Sequence, residues 1–422
     1  MLFSYSITRG NMGEVEHMNM QIWKKRRKQL IIVSLVFSLF LSFMRITVEK
    51  VNATGEQNTE SVLSLDAPSY LLMEETTGKV IVEKAGEEKR SPASITKIMT
   101  LILIFDALES GKIHLEDEVS TSAHAKSMGG SQVFLEEGEV QTVETLIKCI
   151  VIASGNDASV AMAEYIGGSE EAFVNMMNER AKGLGMTETN FVDCCGLTED
   201  ENHYSSARDV AIMSRELSSK YPKIHDYASI WMEDITHVTK QGSKQFTLTN
   251  TNKLIRQYQG ATGLKTGSTS KAKFCLSATA ERNGIKLIAV VMGSTDSKTR
   301  VKDAAKLLDY GFANCVIYED TEGIQNLPEV LVAQGMKKSV KIEAIEPFRY
   351  VFVNGEQSEV TYQIEHKEKI KAPVKKGKEV GAIHYFAGEK EIGSVLLLTK
   401  EEVKKMSYKI SFLRIIEQYV TF

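Results

Sequence analysis

The sequence predicts an α+β protein built on an antiparallel five-stranded sheet that is covered by helices and joined to a helical subdomain. Two strand patterns precede a block of helical patterns, and three strand patterns and a helix follow it. This order is typical of α+β domains. From residue 316 the chain changes to short alternating runs separated by turns, which predicts a small C-terminal β-sandwich domain. A terminal amphipathic helix completes the predicted fold.

Short segments with strand character mark the main sheet, namely 70–73, 80–82, 263–268, 274–280 and 286–292. Period-two alternation is seen in the fourth, where Phe274, Leu276, Ala278 and Ala280 are the apolar positions. Gly78 supplies the turn of the first hairpin. Asn283-Gly284 is a typical two-residue hairpin turn, so we expect the last two strands to pair antiparallel.

Helical periodicity marks the elements between and after these strands. Ile95–Leu108 is apolar on nearly every side, which places this helix inside the protein. The other predicted helices cover 143–153, 170–182, 207–217 and 299–312. Ser169 is the expected N-cap of the second of these, and Ser205 or Ser206 that of the third.

Length and charge limit the class of protein. The chain has 422 residues, which suggests two or three domains with a sizeable core. Lys and Arg number 51 against 55 Asp and Glu, so the formal net charge is -4. Because no basic stripe accompanies this near-neutral balance, nucleic acid is not an expected partner.

The N-terminus carries the features of an export signal. The basic run Lys24–Lys28 precedes an apolar run from Leu30 to Met44, and small residues follow at Val51-Asn-Ala53. We therefore expect a secretory signal region at 1–53 and a polar linker at 54–60. The apolar run is short for a membrane span, and an uncleaved anchor is the alternative. The mature protein is expected to work outside the cytoplasm.

The cysteines indicate neither a disulfide framework nor a metal site. There are five, with no C-x-x-C spacing. Cys149 and Cys275 lie in apolar runs and are expected to be small core residues. Adjacent Cys194 and Cys195 have poor geometry for a bridge between neighbours. No H-E-x-x-H or similar histidine cluster occurs, so no catalytic metal or other cofactor is expected.

A serine and a lysine stand together at the start of the buried helix. Ser94 and Lys97 have i, i+3 spacing, which places both on one face about one turn apart. Lysine is rarely buried without a reason. The alternative for this pair alone is a serine N-cap followed by a lysine that extends to water.

Two later segments decide between these interpretations. Ser154-Gly-Asn156 alone is usually a loop with a helix cap, and Lys265-Thr-Gly267 alone is usually a strand start with a turn glycine. The three segments in this order match a known triple signature of serine acyl-transfer enzymes. Their joint occurrence therefore favours catalysis.

At these residues the chain resembles the penicillin-binding protein and serine β-lactamase superfamily. More narrowly, it is similar to the low-molecular-weight penicillin-binding proteins that are D-alanyl-D-alanine carboxypeptidases. The resemblance is carried by Pro92–Thr100, Ser154–Ala158 and Gly263–Gly267, and in the C-terminal part by Ala372–Gly377 and Glu391–Gly393. It covers almost the whole mature chain. Cys194-Cys195 and Thr262 depart from the family pattern without touching the three motifs.

The resemblance implies a serine nucleophile with a lysine base. Ser94 would form an acyl-enzyme, and Lys97 would take its proton if burial and the nearby cation Lys265 keep the amine neutral. Ser154 would pass a proton to the leaving D-alanine nitrogen. Asn156 would bind the substrate amide and hold Lys97. The implied substrates are peptidoglycan stem peptides ending in D-Ala-D-Ala, with β-lactam antibiotics as covalent inhibitors.

The third motif would bind the substrate from the other side. Lys265 and Thr266 are expected to hold the terminal carboxylate, and Gly267 to let the substrate backbone lie along the strand. The oxyanion hole would use the backbone N–H of Ser94 and, from the strand after Gly267, that of Thr269.

Other functions remain open at this level. A serine β-lactamase needs a deacylating base, which Glu171 offers only superficially because it falls on the solvated face of a helix. A DD-endopeptidase or transpeptidase shares the motifs. A non-catalytic peptidoglycan-binding protein is the alternative from a different class. The expected domains are catalytic at 61–315, β-sandwich at 316–399 and a tail helix at 400–422.

The tail is predicted to be an amphipathic helix on the outer face of the membrane. Its apolar stripe consists of Val403, Met406, Ile410, Leu413, Ile416 and Val420. Lys409, Arg414 and Glu417 interrupt the apolar runs, so the helix cannot span a bilayer but suits its interface. The alternative is a helix that packs on the β domain.

Overall fold

The computed structural model describes residues 63–239, 242–320, 323–356 and 358–410, together with 412 and 416. The predicted signal region 1–53 and linker 54–60 lie outside the described residues, as does most of the tail beyond Ile410.

The strands of the N-terminal half form one large sheet and two small hairpin sheets. They are β1 Ser69–Glu74, β2 Val80–Lys84, β3 Glu118–Ser120, β4 Val140–Thr142, β5 Met232–Thr239, β6 Gly242–Thr249, β7 Ala261–Thr269, β8 Lys273–Arg282 and β9 Ile285–Ser294. The large sheet has the order β2-β1-β9-β8-β7, and every neighbouring pair is antiparallel. This confirms the predicted five-stranded sheet. Strand β7 lies at its edge, so one side of its backbone stays available.

Helices cover both faces of this sheet. They are α1 Lys97–Glu109, α2 Ala123–Lys126, α3 Val143–Val151, α4 Asn156–Gly167, α5 Glu170–Gly183, α6 Ala207–Lys220, α7 Ile224–Ala228, α8 Leu254–Gln257 and α9 Ser297–Asn314. Ser169 and Ser206 cap α5 and α6, as predicted. Alternate strand residues separate two cores: Leu71 packs with the side that holds α1, and Leu72 packs with the side that holds α9.

The sequence did not predict α4 or the β5–β6 hairpin. Helix α4 follows Ser154 at once and is buried at nearly every position from Asn156 to Ala163. A helix buried on all sides has no apolar stripe to reveal it. The hairpin has the opposite property, since most of its side chains are exposed and few are apolar.

The C-terminal half is rich in strands, as predicted. They are β10 Cys315–Glu319, β11 Glu329–Ala333, β12 Ser339–Ala344, β13 Arg349–Val353, β14 Val360–His366, β15 Lys369–Lys371, β16 Glu379–Ala387 and β17 Lys390–Thr399. Six of them form a sheet in the order β14-β16-β17-β12-β11-β15, while β10 pairs with β13.

Strand β13 contributes to both halves of the protein. Its alternate residues point to opposite faces. Tyr350 and Phe352 lie in the core of the β domain, whereas Val351 and Val353 lie in the core beneath α9. One strand therefore joins the two cores.

The predicted start of the tail helix is wrong. Val403 is 2% exposed in the β-domain core and forms an antiparallel bridge with Val374. Lys405 forms a bridge with Gly335, and helical structure begins only at Tyr408. Among the described residues, no helix combines the length and the hydrophobicity that a membrane span needs.

Candidate active site

The predicted nucleophile Ser94 lies in a tight turn, the nucleophile turn, that leads into the buried helix. Residues Ala93–Thr96 form a 3-10 turn, and α1 begins at Lys97. Ser94 is half-buried, whereas Lys97 is 0% exposed. Lys97 Nζ lies 3.0 Å from Ser94 Oγ, within hydrogen-bond distance. The predicted one-turn spacing therefore brings the hydroxyl and the amine into direct contact.

Two further oxygens surround the Lys97 amine. Its Nζ donates to Asn156 Oδ1 at 2.6 Å and to the backbone carbonyl of Cys195 at 2.7 Å. Burial lowers the pKa of Lys97, against the opposing effect of Cys195, Cys194 and Asp193. A neutral amine has two N–H groups and one lone pair. If Asn156 and Cys195 accept the two N–H groups, the lone pair is left to receive the Ser94 proton.

A second lysine–serine pair faces the first. Lys265 Nζ donates to Ser154 Oγ at 2.8 Å, and Lys265 is 1% exposed. Burial lowers the pKa of Lys265 well below its ordinary value, and the nearby cations Lys97 and Arg300 lower it further. Ser154 has a φ of 62°, a left-handed conformation that is uncommon for serine. Such conformations cluster at functional sites.

Asn156 connects the Lys97 amine to the neighbouring loop. Besides accepting from Lys97, it donates its Nδ2 to the carbonyl of Gly129 at 2.7 Å. Its backbone N–H donates to the carbonyl of Ser131. The orientation of its amide is thus fixed at both ends.

The edge strand β7 lies against the nucleophile turn at Gly267. A Cβ on this residue would lie 2.7 Å from the carbonyl oxygen of Pro92 and 3.0 Å from the Ser94 nitrogen. Only glycine allows this approach, which is a different reason for Gly267 from the substrate contact that the sequence suggested. On the neighbouring residue, Thr266 Oγ1 hydrogen-bonds Thr251 Oγ1 at 2.6 Å.

The sequence comparison with known families agrees with this geometry. The model of a family described as D-alanyl-D-alanine carboxypeptidase matches residues 56–296. A second family model, described as the C-terminal domain of penicillin-binding protein 5, matches residues 324–405.

The chain belongs to the D-alanyl-D-alanine carboxypeptidase family.

Relatives of known name share most of the chain's length. The D-alanyl-D-alanine carboxypeptidase DacF of Bacillus subtilis is 42% identical, over 92% of this chain and 97% of its own. The D-alanyl-D-alanine carboxypeptidase DacA of Haemophilus influenzae is 33% identical, over 86% and 91% respectively. Among solved structures, penicillin-binding protein 5 from Haemophilus influenzae is similar with a TM-score of 0.62 at 33% identity, covering 81% of this chain and 98% of that one.

Several residues around this carboxypeptidase-family site were not predicted. Asp157 is 1% exposed, and its carboxylate accepts the backbone N–H groups of Val133 and Leu135. It therefore ties the loop that carries Gly129 and Ser131 to the start of α4. An aspartate directly after the motif asparagine was the available hint, but a helix-start carboxylate is common.

Arg300 hydrogen-bonds the edge strand β7 from helix α9. It is 7% exposed on α9, and its Nη1 donates to the carbonyls of Gly267 and Cys275, each at 3.1 Å. An arginine at i−4 from Ala304, on the buried side of a predicted helix, was its one sequence hint.

The adjacent cysteines contribute through their backbone. All five cysteines are free thiols, and Cys194 and Cys195 are both buried. Thr100 Oγ1 donates to the carbonyl of Cys194, and Lys97 donates to that of Cys195. Backbone carbonyls carry no residue identity, so sequence patterns could not reveal this contact.

The remaining predicted positions are as follows. Thr269 ends β7, and its Oγ1 accepts the Ala272 N–H at 3.0 Å. Glu171 lies on the exposed face of α5, as expected for a solvated helix residue. The structure thus brings Ser94, Lys97, Ser154, Asn156 and Lys265 together and leaves Glu171 at the surface.

Proposed function

We propose that this protein is a serine-type carboxypeptidase that removes the terminal D-alanine from peptidoglycan stem peptides ending in D-Ala-D-Ala, and thereby limits cross-linking. The observation that carries the proposal is the set of contacts around Lys97, a buried amine 3.0 Å from the Ser94 hydroxyl. Family membership supports the same substrate class.

Acylation follows from these contacts. Lys97 Nζ takes the Ser94 proton, and Oγ bonds to the carbonyl carbon of the penultimate D-alanine. The peptide C–N bond then breaks. Ser154 gives its proton to the departing D-alanine nitrogen and takes up the proton that Lys97 received, so that the Lys97 amine is neutral again. Water attacks the resulting ester, which releases the shortened peptide and restores the Ser94 hydroxyl. Penicillins would acylate the same oxygen.

Lys265 and Thr266 are proposed to bind the terminal carboxylate. A buried amine of lowered pKa gains a proton more readily once a carboxylate arrives beside it. Substrate binding would therefore convert Lys265 from a donor to Ser154 Oγ and the Thr266 carbonyl into a cation paired with the substrate carboxylate.

The developing oxyanion is proposed to bind two backbone N–H groups, that of Ser94 and one from the end of β7. The sequence suggested Thr269 as the second donor. Because Gly267 is the residue that lies against the Ser94 nitrogen, the N–H of Ser268 is closer along the strand and is favoured. Ser268→Pro and Thr269→Pro each remove one N–H. Loss of the true donor should lower kcat by about 100- to 1000-fold, and loss of the other much less.

The direct test measures D-alanine release from a peptide ending in D-Ala-D-Ala. Wild type should release D-alanine and form a covalent penicillin adduct, and Ser94→Ala should do neither while keeping the circular dichroism spectrum of wild type. Undiminished labelling of Ser94→Ala would contradict the assignment. An adduct formed without D-alanine release would instead indicate a penicillin-binding protein that lacks carboxypeptidase activity.

A transpeptidase is the second candidate. The Streptomyces K15 DD-transpeptidase is similar in structure at 31% identity, with a TM-score of 0.56 over 59% of this chain and 98% of its own. Adding an amine acceptor to the assay separates the two. Carboxypeptidase activity gives a peptide shortened by one residue, whereas transpeptidation gives an acceptor-linked product.

We also propose that the enzyme is exported and that its tail binds the outer face of the cytoplasmic membrane. The N-terminal basic and apolar runs support export, and the apolar residues beyond Tyr408 support surface binding. A variant ending at Ser407 keeps Val403 in the β-domain core and removes the helical part. It should be recovered soluble and penicillin-labelled, while the full chain sediments with membranes. Identical fractionation of the two would contradict the tail's role.

A further inference from the structure

A buried histidine lies between the nucleophile turn and the loop that contacts the catalytic lysine. His203 is 1% exposed. Its Nδ1 accepts the backbone N–H of Val192 at 3.0 Å, and its Nε2 lies 2.8 Å from Thr96 Oγ1. Thr96 directly precedes Lys97 in the turn. The imidazole therefore joins the loop at Val192 to Thr96, which lies 107 positions before His203 in sequence.

These contacts determine the tautomer of the ring. A backbone N–H can only donate, so Nδ1 must carry a lone pair toward Val192. The ring is then neutral with its proton on Nε2, which donates to Thr96 Oγ1. Protonation at Nδ1 would place an N–H against an N–H. The imidazolium is incompatible with this bridge.

The bridged loop, residues 192–196, is the one that holds Lys97. Val192 is its first residue, and the Cys195 carbonyl accepts from Lys97 Nζ at 2.7 Å. At its other end Gly196 has a φ of 76°, and a Cβ there would lie 1.8 Å from the Ala93 carbonyl oxygen. The loop backbone thus packs directly on the nucleophile turn, and His203 joins the two through side-chain contacts.

We propose that neutral His203 is a positioning residue for Lys97: it holds loop 192–196 against the nucleophile turn, and its protonation releases the Cys195 carbonyl from the base. The inference rests on the proposed role of Lys97 as general base. Acylation then requires two deprotonated groups, the Lys97 amine and the His203 imidazole.

Charged groups around the ring act in both directions. Burial lowers the pKa of the His203 imidazole. The carboxylates of Asp193 and Asp200 act against this effect, and the Lys271 cation adds to it. Asp193 also shapes the loop, because its carboxylate accepts the backbone N–H groups of Cys195, Gly196 and Thr198. The neutral form of His203 is therefore favoured at neutral pH, and the bridge opens only in acid.

Two substitutions separate the halves of the bridge. In His203→Asn the amide oxygen takes the place of Nδ1 and keeps the Val192 contact, while the Thr96 contact is lost. In His203→Gln the amide nitrogen takes the place of Nε2 and keeps the Thr96 contact, while the Val192 contact is lost. Neither residue titrates. His114→Asn is the matched control, since the His114 side chain is 69% exposed.

The measurement is the rate of covalent acylation by a penicillin on the full-length protein, from about pH 8 down to the lowest pH at which circular dichroism still shows the folded protein. For wild type the rate should fall with a limiting slope approaching 100-fold per pH unit, because two protons are involved. In both His203 variants the slope should be about tenfold per unit, and the rate at neutral pH about tenfold or more below wild type. For D-alanine release, kcat should fall while KM changes little. Asparagine should retain more activity than glutamine.

Distinct outcomes overturn the inference and the proposed function. A wild-type slope of about tenfold per unit over this whole range would overturn the role of His203 even if neither variant folds. The same conclusion would follow if folded His203→Asn and His203→Gln kept the wild-type rate and slope, as His114→Asn should. No penicillin adduct in wild type at any pH would instead contradict the proposed function.

Discussion

The lysine site of the catalytic half and the Asp320 site of the C-terminal half contain buried polar groups with different kinds of partner. In the catalytic half, Lys97 and Lys265 are almost fully buried, and no carboxylate pairs with either amine among the described salt bridges. In the β domain, the buried carboxylate of Asp320 accepts the Tyr385 hydroxyl at 2.7 Å and the Gly323 N–H at 2.9 Å. The first arrangement favours neutral, reactive amines. The second favours a satisfied and stable core.

Among the substitutions that test this contrast, Lys97→Met should change activity the most. It keeps an unbranched side chain of similar length but removes the base, so acylation by penicillin should fall by about 1000-fold or more. The unfolding temperature should change little, because removing the buried amine relieves its desolvation but leaves Asn156 Oδ1 and the Cys195 carbonyl without their donor. The assay is adduct formation with time, beside thermal unfolding of both proteins. Rapid acylation by Lys97→Met would mean that another group serves as base.

Lys265→Ala should be next in magnitude. Without the amine, neither Ser154 nor the substrate carboxylate keeps its partner, and D-alanine release should fall by about 100-fold or more. Lys265→Arg should retain part of the activity. The comparison uses peptides with a free or an amidated C-terminus. Wild type should discriminate strongly between them and Lys265→Ala weakly, and equal turnover of both peptides by wild type would contradict carboxylate binding.

Gly267→Ala tests the contact between the edge strand and the nucleophile turn. The added Cβ would meet the Pro92 carbonyl at 2.7 Å, so we expect a loss of stability of about 3 kcal/mol together with slower acylation. Gly183→Ala is the matched control, because nothing lies within 4 Å of its Cβ position near the end of α5. Equal unfolding temperatures for the two variants would show that β7 does not need this approach.

Tyr385→Phe should have the smallest effect on activity. It removes one donor from the buried Asp320 carboxylate and should destabilise the β domain by about 1–3 kcal/mol. D-alanine release below the unfolding temperature should match wild type. If catalysis falls in proportion to stability, the contrast between a reactive half and a structural half does not hold.

Sequence patterns predicted what depends on residue type and local period. The five strands and the motifs at Ser94, Ser154 and Lys265 belong to this class. The patterns could not supply contacts made by backbone groups across long separations, such as Cys195 O with Lys97, which are 98 residues apart. His203 was missed for a related reason, because its partners are a backbone N–H and a threonine hydroxyl. Lone buried histidines of this kind form no motif.

Ambiguous periodicity explains the error in the tail. Val403 and Met406 fit a helical stripe at i, i+3, but Val403 with polar neighbours fits an edge strand equally well. Pairing with Val374 decided in favour of the extended form. Tertiary contacts outweighed local preference there.

The absence of a linker between the halves has a mechanical consequence. Helix α9 ends at Asn314, and β10 begins at Cys315, which pairs with Val353 of the shared strand β13. A pull on the C-terminal end of the chain would therefore load β13 and α9 together, without a hinge to absorb it. Arg300, on the same helix, hydrogen-bonds the Gly267 carbonyl of the edge strand β7. We expect tension at the tail to reach β7, beside Ser94, along these covalent and packed elements.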